Sequence, residues 1–92
     1  MSELTIQEAL RLGAEAHKAG NVRDADRYYT AILKAQPNHP EGNHSMGLLA
    51  VSLNKFEQAI PYFEKAIQFN PSASLFWESL FKVLIKLEEF DK

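Results

Sequence analysis

The chain contains 92 residues, 46% of them hydrophobic, carries a formal charge of −2 and has no cysteine. Near-balanced charge supplies no basic stripe for phosphates, which argues against a nucleic-acid partner, and the lack of thiols excludes disulfides and thiolate metal centres. A chain this short hides only about 60–65% of its unfolded surface on folding, so every helix face has to contribute to the core.

The start Met1-Ser2-Glu3 has no basic segment leading into an apolar run, and the sequence holds no apolar stretch of membrane-spanning length. A cytoplasmic protein without membrane contact is the expectation. Thr5 and Glu8 form a Thr-x-x-Glu capping box, and Ile6, Ala9, Leu12, Gly13 and Ala16 follow at helical spacing, which predicts a first helix ending near Gly20. Asn21 is placed to cap a second helix carrying Val22, Ala25, Tyr29, Ile32 and Leu33, and Pro37 ends it. Pro40 suits the first turn of a third helix, and Asn54 with Glu57 marks the start of a fourth. Pro61 lies a little beyond that helix's first turn and predicts a mild distortion rather than a break. Pro71 ends the fourth helix, and a fifth is expected from about Ser74 to Leu87. Short turns join the five, leaving no linker, low-complexity stretch or second domain.

A period runs through these elements. Gly13 and Gly47 are 34 residues apart, and the same offset joins Ala25 to Ala59, Tyr28 to Tyr62 and Pro37 to Pro71. Apolar volume recurs where identity does not: Leu12 becomes Met46 and Leu80, Val22 becomes Phe56 and Phe90, Tyr29 becomes Phe63, and Leu33 becomes Ile67. A fixed period of this length in a helical sequence is the mark of a stacked repeat.

The pattern resembles the tetratricopeptide repeat (TPR) family, which places Trp, Leu, Gly and Tyr on the first helix of each repeat and Ala, Phe and Ala on the second, with a closing Pro. Leu12, Gly13, Ala25, Tyr29 and Pro37 match in a first repeat, Met46, Gly47, Ala59, Phe63, Ala66 and Pro71 in a second, and Trp77 and Leu80 open a third. The resemblance implies an all-α fold of about five helices, TPR-type antiparallel hairpins stacked in a right-handed superhelix. Residues 1–92 would form a single domain, with repeat one at about 6–39, repeat two at about 40–73 and an incomplete third at about 74–92. Gly and Ala would let paired helices approach closely while the aromatic fills the space between them. Ala9 and Asn43 replace the family's Trp, Ala16 and Ala50 its Tyr, Ile32 the later Ala, and Phe81 the glycine.

In that family the first helix of each repeat lines a concave groove. The groove-facing places correspond here to Gln7, Leu10, Ala14, His17, Glu41, His44, Leu48, Val51, Leu75, Glu78, Lys82 and Ile85. This mixed, half-apolar set suits a helix or extended segment of a protein or peptide partner, and its plainer interpretation is a solvated face with scattered hydrophobics. Members that clamp the carboxylate tails of cytosolic chaperones carry Lys, Asn, Asn, Lys and Arg where this chain has Leu10, Ala14, Ser45, Leu75 and Ser79. Without those donors a terminal carboxylate finds no charge-assisted hydrogen bonds, and that activity is not expected.

No chemistry is encoded. His39 and His44 stand five apart across a turn and a helix start, outside the spacings that align two ligands on one face, so His17, His39 and His44 are expected on the surface rather than around zinc. Glu57, Glu64 and Glu78 are expected on solvated faces, and no phosphate loop or nucleophile motif occurs, so neither a cofactor nor an enzyme is predicted. Tyr28 and Tyr62 point about 100° away from their neighbours Tyr29 and Phe63 and are expected to pack on the outer side.

The segment Leu87-Glu88-Glu89-Phe90-Asp91-Lys92 aligns with Leu53-Asn54-Lys55-Phe56-Glu57-Gln58, so the chain is expected to stop where a sixth helix would start, as a fragment does. Trp77, Phe81 and Leu84 would then lack their partner helix, which Phe90 would begin. These four residues are the expected site of a homodimer formed through the carboxy-terminal helix, unless that helix shifts to bury its stripe within one chain. Ala25-Asp26-Arg27-Tyr28-Tyr29, Gln36-Pro37-Asn38-His39-Pro40 and Asn70-Pro71-Ser72 with Phe76-Trp77 resemble amino-terminal repeat segments of larger bacterial proteins, in which repeats often precede a transferase domain. The expected function is a protein–protein interaction scaffold. The alternative is a self-association element or regulatory segment of such a transferase.

Overall fold

In the computed structural model, which describes residues 4–90 and side chains through residue 89, the elements are α1 (Ile6–Lys18), α2 (Val22–Ala35), α3 (Pro40–Ser52), α4 (Phe56–Phe69) and α5 (Ser74–Phe90). Successive helices pair as antiparallel hairpins, and the stack extends over 53 × 28 × 18 Å, a shape consistent with a TPR-type superhelix.

The starts of α1, α2 and α3 satisfy free backbone N–H groups with three different side chains. At α1 the Glu8 N–H donates to Thr5 Oγ1 at 3.1 Å and the Thr5 N–H donates to Glu8 Oε1 at 3.0 Å, closing the expected capping box. These bonds to Thr5, the backbone one first, hold the Glu8 carboxyl below its ordinary pKa. Asn21 Oδ1 accepts from the Asp24 N–H at α2. At α3 the acceptor is His39 Nδ1, bonded to the Gly42 N–H at 2.9 Å, with Pro40 in the first turn. The cap of α4 is Lys55, which offers no side-chain acceptor.

Two expectations about boundaries are corrected. Asn54 does not open α4. It closes α3, with φ +60°, as Gly20 closes α1 with φ +81°. In both turns the next residue bonds back into the helix: the Asn21 N–H to the Ala16 carbonyl at 2.8 Å, and the Lys55 N–H to the Ala50 carbonyl at 2.9 Å. The equivalent place in α5 holds Glu88, and a left-handed glutamate would cost about 1–2 kcal/mol. The helix therefore does not stop at Leu87. It continues to Phe90, so Phe90 extends α5 instead of beginning a sixth helix, and its side chain lies outside the described ones. Pro61 leaves α4 continuous.

The hairpins close over glycine. A Cβ on Gly13 would press into the Tyr29 ring, with Cδ1 at 2.9 Å, and one on Gly47 into the Phe63 ring, with Cδ1 at 2.7 Å. Ala25 and Ala59, completely buried, keep the second helices near. One core gathers Ala9, Ala25, Tyr29, Ile32 and Leu49, and a second gathers Phe56, Ala59, Phe63 and Val83. Burial raises the Tyr29 pKa, against an opposing hydrogen bond from Ser45. Tyr28 and Tyr62 are half-buried.

Candidate functional site

The first turns of α3 and α5 are tied down in the same way by different residues. Asn43, almost completely buried, donates through Nδ2 to the carbonyls of Pro37 at 3.1 Å and His39 at 2.8 Å. Trp77, one period later, donates through Nε1 to the carbonyl of Pro71, itself one period after Pro37, at 2.9 Å. Asn43 thus does more than remove aromatic volume. It keeps the indole's N–H without its ring, whereas Ala9 at the same place in α1 has no such donor.

With both helices positioned, His44 meets Ser79. His44 is buried, at 5% exposure, and its Nε2 shares a hydrogen bond with Ser79 Oγ at 2.8 Å. The imidazole also lies against the rings of Phe76 and Phe63, with centroids 4.7 and 5.4 Å away. This apolar setting pushes the His44 pKa below its ordinary value. The expectation of a surface histidine is corrected here, because the polar partner that makes burial tolerable stands on another helix. His39 has the different task of capping α3, and His17 is half-buried.

Above the His44–Ser79 pair a cavity of about 520 Å³ opens between α3 and α5. His44, Leu48 and Val51 border it from α3, and Leu75, Lys82 and Ile85 from α5. Leu48, Leu75 and Ile85 are exposed, at 38%, 58% and 56%. Gln7, Ala14, Glu41 and Glu78 are exposed and Leu10 is half-buried, and none of them, nor His17, borders this cavity. Phe56, Phe63, Ser79, Val83 and Lys86 border it without having been expected in a groove. Lys86 was findable as the residue one helical turn beyond Lys82, but the others required knowing how the hairpins meet.

The opposite flank of α5 carries Trp77, Phe81 and Leu84, exposed at 40%, 53% and 44%, with the Trp77 and Phe81 rings 6.1 Å apart. Among the described residues, no group of three His, Asp or Glu side chains could hold a metal ion, and no helix is long and apolar enough to cross a membrane.

No curated protein matches the chain. The sequence model of the tetratricopeptide repeat family matches residues 41–73, which take in nearly all of α3, the whole of α4 and the turn beyond it. That repeat is a non-catalytic module. The centre of the chain is therefore a TPR-type repeat, a helical-repeat unit generally associated with protein–protein interaction.

Proposed function

We propose that the chain is an interaction module that holds a segment of a partner protein in the groove between α3 and α5. The observation that carries this is the convergence of exposed Leu48, Leu75 and Ile85 on one open cavity, since monomers usually scatter such residues singly. The surface continues in this reading over Gln7, Leu10, Ala14 and His17 of α1 and over Glu41 and Glu78. Residues 1–92 then act as one domain of two full repeats and an incomplete third. Selection of a displayed peptide library on the immobilised protein tests the groove. Peptides enriched on the native chain should fail to bind Leu48→Glu at unchanged far-ultraviolet circular dichroism, and equal enrichment on both would reject the site.

A second reading, self-association, is favoured by Trp77, Phe81 and Leu84 on the other flank of α5. Sedimentation over a wide concentration range distinguishes the two. A dimer abolished by Phe81→Glu but untouched by Leu48→Glu would assign that flank to a second copy of the chain.

A further inference from the structure

We infer that the occupant of this groove is an acidic amphipathic segment, whose apolar side chains lie between α3 and α5 while its carboxylates meet Lys82 and Lys86. The inference rests on the groove reading above and adds the chemistry of the partner. Lys82 and Lys86 are the charged residues bordering the cavity, and both are exposed. Neither makes an ion pair among the described residues, where the pairs are Arg11 with Glu15 and Arg27 with Asp24. Glu78 stands one turn before Lys82 and Glu88 and Glu89 follow Lys86, but none of them takes up either ammonium group.

The floor adds no competing anchor. Burial disfavours the imidazolium of His44, and the Ser79 hydroxyl is already engaged with that ring. What faces a ligand is thus an apolar lining formed by Leu48, Val51, Leu75 and Ile85, with two cations on its α5 edge in line with Leu75. Lysines four residues apart on a helix stand about 6 Å apart along its axis, the separation of two carboxylates one turn apart on a partner helix. A basic segment would set like charges against that edge, and a neutral one would leave the lysines to water.

The peptide-library selection tests this when its enriched pool is sequenced. Asp and Glu should be enriched beside the apolar positions, and the double variant Lys82→Glu/Lys86→Glu should bind the leading acidic peptide about ten-fold more weakly. Raising salt from about 0.05 to about 0.5 M should weaken the native complex and strengthen that of the double variant, whose like charges against the acidic peptide are then screened. A Leu48-dependent pool without acidic preference, or acidic peptides held equally well by the double variant, would overturn the partner chemistry and leave the groove intact. If no captured peptide depends on Leu48, the groove reading itself fails. A native dimer that Leu48→Glu converts to monomer would make the occupant a second copy, which also overturns the inference.

Discussion

α3 and α5 hold the same place in successive repeats, yet α3 is buried on several sides and α5 along a single stripe. Gly42, Asn43, His44, Gly47 and Leu49 are all enclosed in α3, whereas Phe76, Ser79 and Val83 trace one face of α5. The difference lies in their neighbours. α3 packs against α1, α2, α4 and α5, while α5 packs mainly on α4 with a smaller contact to α3. A position therefore carries no fixed chemistry along the stack. Gly47 must be small because Phe63 crosses it, and Phe81 at the equivalent place is large and exposed.

That contrast breaks first at Gly47. Gly47→Leu drives a side chain into the Phe63 ring and should cost about 3 kcal/mol, lowering the urea midpoint sharply. An unchanged midpoint would mean that the helices do not approach as described.

His44 tests the meeting of the two helices through pH. Its folded-state pKa lies below the ordinary 6.5, so the unfolded chain takes up the proton first as pH falls. The stabilising effect of keeping it neutral is complete above 6.5 and declines as pH drops toward the folded value, by at most about 1.4 kcal/mol per pH unit. His44→Leu, which copies Leu10 one period earlier, should remove this part of the pH dependence. Parallel stability–pH curves for the two proteins would show that His44 titrates normally.

The helix starts give a smaller effect of opposite sign. Lys55→Asn copies Asn21, whose backbone angles of −90° and 78° resemble the −96° and 66° of Lys55. A side-chain acceptor there should stabilise the protein by about 0.5–1 kcal/mol, visible as a higher thermal midpoint. Smallest of all, Phe81→Ala should change stability by no more than about 0.5 kcal/mol, since its ring is more than half exposed. A larger loss in monomer would mean that Phe81 packs within the chain beyond its contact with the Trp77 ring.

Much of the helical order is legible in the sequence because it rests on local chemistry. The Thr5–Glu8 box, the prolines and the Gly13 and Gly47 spacing each act within a few residues or recur at a fixed interval. Asn54 is misleading because Asn followed by Glu57 imitates a cap, although its offset from Gly20 points to the left-handed turn it adopts. Asn43 and Trp77 share a hydrogen bond and no side-chain shape, so residue type hides their equivalence. His44 is harder still. Its partner lies 35 residues away on another helix, and only the packing of α3 on α5 brings the two together.

The tie between Trp77 and Pro71 gives the molecule an internal optical gauge. Trp77 is the one tryptophan in the sequence, and its indole is fastened across the turn between α4 and α5. Emission therefore reports whether the last helix is seated, while circular dichroism reports all the helices together. In a stack whose units hold only their neighbours, an end helix can detach before the middle melts. Under mild denaturant the fluorescence of this chain should change ahead of its ellipticity, and the interval between the two curves measures how loosely α5 is held.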